Sequence, residues 1–375
     1  MNVFVLIDSF KGSMTSMEAG NAVKEGVLKV HPTAKVLVRP LADGGEGTTD
    51  ALTDGLGGER IDLVVTGPMG VPVQAYYGIL NDKETAVMEM AQAAGITLVE
   101  AHKKNPGIAT TYGVGEMIKD AIVRGCREFI IGIGGSATND GGTGMLKALG
   151  IKFLTKEGTD AGQGANALEK IHSISMENML PELKHCNFQI ACDVTNPLYG
   201  ETGATYIFGK QKGIKTEEMP RIDHDMRHFA KVTSERFGRD FSEVEGAGAA
   251  GGLGFAFISY LNAKLVPGIN LILDVIQFER DLDGMDIIVT GEGRLDIQTA
   301  MGKAPVGVAK LAKKHGCKVI AFAGSVTKDA AACNEKGIDA FFPIVRGIST
   351  LEEAMDNTTA RTNLTDTAEQ VFRLF

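Results

Sequence analysis

At 375 residues the chain can bury two substantial cores, and 44% hydrophobic with 23% charged residues is a globular balance that excludes fibrous and disordered classes. A formal net charge of −9, without clustered Lys and Arg, excludes a general nucleic-acid surface and leaves anionic ligands to local cations or a metal ion. The apolar run before Asp8 and Lys11 is too short for a signal peptide or a membrane span, so no membrane partner and a cytoplasmic location are expected.

The first 66 residues read as strand, helix, strand, helix, strand. NVFVLI is β-rich, and Ala22, Val23, Gly26, Val27 and Val30 recur at helical spacing behind a capping-box pair, Thr15 and Glu18. KVLVR is the next strand, a helix follows Glu46, and IDLVV closes the block. Alternation of this kind predicts a parallel sheet with right-handed crossovers.

The middle differs. VQAYYGIL and TAVMEM read as an antiparallel pair turned at Asn81-Asp82, and a helix with Val114, Met117, Ile118, Ala121 and Ile122 on one face ends at Gly125. The C-terminal block returns to the α/β pattern: DIIVT, a helix begun near Pro305 and closed at Gly316, KVIAF, another helix, and AFFPIV. The expected organisation is a discontinuous Rossmann-like parallel-sheet domain of residues 1–66 and 284–375, with a mixed α/β domain of residues 67–283 inserted. Two sequential domains divided near residue 150 are the rival arrangement.

Five polar loops follow strand-like runs: DSFKGS (8–13), ADGGEGT (42–48), GIGGSATNDGG (132–142), CDVTNPLYG (192–200) and TGEGRLD (290–296). In open α/β sheets ligands bind outside the carboxyl ends of strands, so polar residues gathered there have a mechanical reason to be functional. The 132–142 loop formally matches GxGxxG/A, with Glu157 further on, which keeps an NAD-dependent oxidoreductase open. Against it, Thr138 to Gly142 delay any helix to about Thr143, whereas the fingerprint needs a helix at once. As a phosphate cradle the loop offers backbone N–H groups at its glycines and hydroxyls at Ser136 and Thr138; the plain alternative is a tight turn capped by Asn139 or Asp140.

Asp193 ends a buried run and suits a general base, a Mg²⁺ ligand or an Asx turn. Asp43, Glu46, Glu292 and Asp296 pose the choice between metal contacts and helix-dipole partners. Lys11 pairs with phosphate or is solvated, and Arg294 is an ion-pair partner or a fork for a carboxylate. The seven histidines show no metal-ligand spacing, the five cysteines include no CxxC, and there is neither a GxSxG elbow nor a GxxxxGK[ST] P-loop. Reduced thiols are expected.

Together, DSFKGSMTSMEAG, PLADGGEGT, GIGGSATNDGGTGMLKALG, ACDVTNPLYGETGA, FGKQKG (208–213), GAGAAGGLGF (246–255) and TGEGRLDIQTAMGKAP resemble the bacterial type I glycerate kinase family over residues 8–306. The resemblance implies ATP-dependent phosphorylation of D-glycerate to 2-phosphoglycerate, two α/β-type domains with the second inserted into the first, and an active site in the interdomain cleft. Phosphorylation at the 3-hydroxyl, a dinucleotide oxidoreductase and a non-catalytic ligand sensor stay open at this stage, as does oligomeric state. Within that implied chemistry, with ATP and Mg²⁺ as cofactors, Gly134, Gly135, Ser136, Thr138, Asn139 and Ser13 are expected to hold phosphate, the nucleotide's or the product's, and Lys11 to meet phosphate or substrate charge. Asp193 is expected to do base or metal work, and Arg294 to clamp the glycerate carboxylate. Asp43, Glu46, Glu292 and Asp296 are expected to contact Mg²⁺ through water.

Overall fold

A computed structural model describes residues 1–375. Its thirteen strands are numbered along the chain. They fall into two compact units: Met1–Asp43, Asp50–Gly57 and Ile269–Phe375 form the first, and Gly44–Thr49 with Gly58–Gly268 the second.

The first unit is built on β1 (Asn2–Ile7), β2 (Lys35–Val38), β11 (Ile287–Leu295), β12 (Lys318–Val326) and β13 (Ala340–Pro343), in the order β13-β12-β11-β1-β2. Every neighbouring pair is parallel. Val3, Val5 and Ile7 are wholly buried and pack with Ala19, Val23 and Val27 of the helix Ser16–Val30, and with Leu364 and Ala368 of the helix Asn357–Phe372. Thr15 starts the first of these helices: its hydroxyl accepts from the Glu18 N–H at 3.2 Å while the Glu18 carboxylate accepts from the Thr15 N–H at 2.8 Å. The two helices approach closely at Gly26, where a Cβ would lie 2.4 Å from the Thr365 carbonyl oxygen. Counted within this unit the strand order is 2-1-3-4-5, the flavodoxin-like form of the doubly wound sheet, whose winding reverses between β1 and β11. That reversal opens a crevice at the carboxyl ends of these two strands.

The second unit carries a six-stranded mixed sheet, β10-β9-β6-β5-β4-β3. Its strands are β3 (Glu59–Thr66), β4 (Pro72–Ile79), β5 (Thr85–Glu89), β6 (Glu128–Gly132), β9 (Asn187–Ala191) and β10 (Lys264–Val266). β3, β4 and β5 pair antiparallel, and β5, β6, β9 and β10 parallel. β7 (Lys152–Leu154) and β8 (Ser173–Ser175) form a separate ribbon. The β4–β5 turn is held by Asp82, which accepts from the N–H groups of Glu84 and Thr85 and from the Thr85 hydroxyl. Stacked Phe129 and Phe188, 4.8 Å between ring centres, fill the space beside the central strands.

The boundaries of the units differ from those expected in three places, the first being Gly44–Thr49, which belongs to the second unit. The IDLVV run lies in β3, which pairs along its whole length with β4 and belongs to the second unit; only one of its faces is buried, as suits an antiparallel edge strand rather than a parallel core strand. Conversely, residues from Ile269 onward already pack with the first unit. No helix is long and apolar enough to cross a membrane.

Candidate functional site

At the carboxyl ends of β1 and β11 the first unit has a pocket of about 410 Å³. Asp8, Ser9, Phe10, Lys11 and Ser13 enter it from the loop after β1, and Glu292, Gly293 and Arg294 from the end of β11; Asp43 and Lys303 complete its charged lining. Asp8 is 6% exposed and accepts from the Ser9 N–H at 2.7 Å. Burial, then the nearby Asp43 carboxylate, push its pKa up to about 7, with Glu292 adding to the rise; the Ser9 N–H and Lys11 act against it. Glu292 is also raised, chiefly by burial, although it accepts from the Thr299 hydroxyl at 2.6 Å and lies 4.0 Å from Lys303. The Ser13 hydroxyl oxygen is buried beside this pocket with no partner in the protein.

Three carboxylates therefore crowd one pocket at a cost that a cation would relieve. No three His, Cys, Asp or Glu side chains converge tightly enough to cage a metal alone. That suits Mg²⁺, which keeps several waters and is commonly held by one or two carboxylates together with substrate phosphates. Asp8, Asp43 and Glu292 fit this role. Of the four expected metal contacts, Asp43 and Glu292 line this pocket, Asp296 caps the short helix Ile297–Ala300, accepting from Gln298 and Thr299 N–H groups at 2.9 and 3.3 Å, and Glu46 is an exposed residue of the second unit. Arg294 is largely exposed, 3.5 Å from Asp296.

In the second unit the loop after β6 is braced on all sides but one. The Gly135 carbonyl accepts from the Ile96 N–H at 2.8 Å, the Ala137 N–H donates to the Ala94 carbonyl at 2.9 Å, and the Gly141 N–H donates to the Gly251 carbonyl at 2.9 Å. By contrast, the successive N–H groups of Gly134, Gly135 and Ser136 make no hydrogen bond within the protein. Gly134 and Gly135 are exposed, nothing lies within 4 Å of where a Gly134 Cβ would stand, and Gly135 has φ +72°. Consecutive unpaired N–H groups beside a left-handed residue form an anion nest. The next helix begins only at Thr143, behind Gly142, so the dinucleotide geometry is not met.

Thr138 and Asn139, expected to touch phosphate, are wholly buried and act from below. Asn139 donates from Nδ2 to the Thr205 hydroxyl at 3.1 Å, and the Thr138 carbonyl accepts from Lys212 Nζ at 2.7 Å. Lys212 is 2% exposed, and burial brings its pKa down to about 7, with Asp140 opposing. Asp140 in turn accepts from the N–H groups of Thr111, Gly142 and Gly144 and from the Thr111 hydroxyl. Burial still raises its pKa.

Asp193 lies just beyond β9, exposed, and its carboxylate accepts from the Gly268 N–H at 2.9 Å. The 44–49 segment is held to the end of β5, where buried Glu89 accepts from Gly47 and Thr49 N–H groups at 3.1 and 2.9 Å. Four residues here went unassigned in the sequence: Asp8, Glu89, Lys212 and Lys303. Asp8 and Glu89 obeyed the strand-end rule that singled out Asp193. Nothing in FGKQKG distinguished a buried lysine from its exposed neighbour Lys210.

A doubly wound unit with a charged pocket at its point of reversal, and a mixed unit bearing an anion nest, define a phosphate-handling α/β protein. The sequence model of the Glycerate kinase family matches residues 3–375. The chain is 45% identical to the glycerate kinase of Bacillus subtilis (strain 168), over 95% of this chain and 94% of that one. It is 42% identical to the glycerate 2-kinase of Escherichia coli (strain K12), over 94% and 93%. It superposes with TM-score 0.92 and 40% identity on a crystal structure from Salmonella typhimurium LT2 assigned as a glycerate kinase 2, covering 100% of this chain and 98% of that one. The chain belongs to the glycerate kinase family.

Proposed function

We propose that the protein transfers the terminal phosphoryl group of ATP to the 2-hydroxyl of D-glycerate, releasing ADP and 2-phosphoglycerate. The observation that carries this reading is the row of unpaired N–H groups at Gly134, Gly135 and Ser136, a binding surface for phosphate in a chain of this family. The Escherichia coli relative's name, glycerate 2-kinase, favours the 2-hydroxyl over the 3-hydroxyl.

Phosphoryl transfer asks a protein to position the reactants and spread charge in the transition state. Asp193 takes the proton from the glycerate hydroxyl as its oxygen bonds to the γ-phosphorus and the bond to the β-phosphate oxygen breaks; the Gly268 N–H keeps the carboxylate oriented. Lys11, Lys303 and Arg294 offer cationic partners for phosphate or carboxylate oxygens. Asp8, Asp43 and Glu292 would hold Mg²⁺, which when bound supplies charge neutralisation for the phosphates. All five cysteines are free.

Incubation with Mg·ATP and D-glycerate, followed by phosphorus NMR, tests the reading. ADP with 2-phosphoglycerate is expected. ADP with 3-phosphoglycerate corrects the position of transfer, and unchanged ATP refutes the kinase.

A further inference from the structure

The pocket of the first unit is chemically two-sided, and its sides follow from the strand order. β1 and β11, in the middle of the sheet, bring the charged residues. β12 contributes only Gly324 and Ser325, and a Cβ on Gly324 would lie 2.6 Å from the Gly293 carbonyl oxygen, so this stretch of lining stays bare. Beyond it, the chain leaving the edge strand β13 supplies Ile344 and Val345, and the short helix Leu351–Met355 adds Leu351, Ala354 and Met355.

These apolar groups are not simply core. Leu351 is 76% exposed, Val345 38% and Met355 37%, although they line one concave site. Their placement is fixed: Thr350 caps the helix through the Glu353 N–H, and Asn357 Nδ2, just past it, donates to the Ser13 carbonyl at 2.8 Å. That bond ties the apolar helix to the loop carrying Asp8 and Lys11. A three-carbon hydroxy acid is polar throughout and has nothing to place on Leu351, Val345 and Met355. The ligand that matches needs a flat apolar end and a highly anionic end.

We propose that this pocket holds the nucleotide, with the purine against Val345, Leu351 and Met355 and the phosphates toward Lys11, Lys303 and Ser13. The assignment rests on the kinase reading. A pocket at the point of reversal of a doubly wound sheet, with an apolar wall and a few convergent polar groups, has the general form of a nucleotide site. Arg294 then meets phosphate rather than the glycerate carboxylate.

Calorimetric titration of the full chain with Mg·ADP, and separately with pyrophosphate, tests the assignment. The exposed Leu351→Asp and Met355→Asp variants are compared with the unaltered protein, each checked for an unchanged thermal midpoint. About tenfold weaker ADP binding in each variant is expected, because ~1.4 kcal/mol of base contact corresponds to that factor. Pyrophosphate affinity should move less than about twofold on the same scale. Equal ADP affinity in folded variants, equal losses for ADP and pyrophosphate, or no ADP binding by the unaltered protein overturns the proposal. ADP binding that weakens as expected in a protein that does not phosphorylate glycerate leaves the nucleotide site standing and refutes the kinase reading alone.

Discussion

Lys212 donates from Nζ to the Thr138 carbonyl at 2.7 Å, from a position only 2% exposed and with no carboxylate in ion-pair contact. A buried ammonium without a close counter-charge is costly, and the native pKa falls from 10.5 to about 7 for that reason. Between these values the unfolded chain holds more protons than the folded one, so this lysine makes stability rise as pH goes from about 7 to 10.5. Lys212→Met removes the burden. Its thermal midpoint should exceed that of the unaltered protein at pH 7, with the gap closing toward pH 10. Because the Thr138 carbonyl also loses its holder, turnover should fall while stability rises. A variant that is both less stable and less active would make Lys212 an ordinary core residue.

Asp8 has the opposite sign. Its folded pKa of about 7 lies above the ordinary 3.8, so the folded protein holds the extra proton between those values, and stability is lost as pH rises through about 7. Asp8→Asn should therefore flatten the midpoint between pH 5 and 8 and leave the protein more stable at pH 8. Millimolar MgCl2 with ADP should raise the midpoint of the unaltered protein at pH 8 more than that of Asp8→Asn. Equal shifts would remove Asp8 from the metal site.

The strand ends were legible because they obey one rule: an apolar run, then a polar residue where the strand stops. The rule located Asp193, Glu292 and the 132–142 glycines, and the capping box at Thr15 and Glu18 was readable from spacing alone. It did not assign β3, because IDLVV reads alike as a parallel core strand and as an edge strand; its pairing with β4 is long-range and decides the matter. Burial at the site was equally hidden. Thr138 and Asn139 look in sequence like ligand-facing hydroxyl and amide, but the turn at Gly141 and Gly142, with φ of 63° and 75°, carries them under the loop and leaves the glycine backbone outside.

The nest at 134–136 gives a separable test of binding against folding. Gly134 is exposed with open space around it, so Gly134→Val should leave the thermal midpoint nearly unchanged. Its side chain would stand over the N–H groups, and kcat/KM should fall at least ~100-fold, the scale for losing preorganised donors. Gly135→Ala adds strain of about 1 kcal/mol or more at φ +72°, and should lower both midpoint and activity. Full activity in folded Gly134→Val would move phosphate away from this loop.

Asp193→Asn keeps an oxygen acceptor for the Gly268 N–H at 2.9 Å and so preserves the local geometry. It removes the ability to take a proton. Turnover should drop at least ~100-fold, as for loss of a general base, with the thermal midpoint little changed. Near-normal turnover would assign Asp193 to the start of the loop alone.

Asp296 separates a structural carboxylate from a metal ligand. One of its oxygens already accepts from Gln298 and Thr299 N–H groups, while the Thr299 hydroxyl donates to Glu292 at 2.6 Å. The cap therefore fixes the threonine that orients Glu292. Asp296→Ala should cost about 1 kcal/mol of stability, the usual scale of a lost N-cap, and should lower activity modestly through Glu292. Asp296→Asn, which can still cap, should recover both. A metal ligand behaves differently: the Asn variant would lose a charge, raise the Mg²⁺ concentration needed for half-maximal activity, and fail to rescue. Measuring that concentration for both variants beside Glu292→Gln decides between the roles, with only Glu292→Gln expected to shift it strongly.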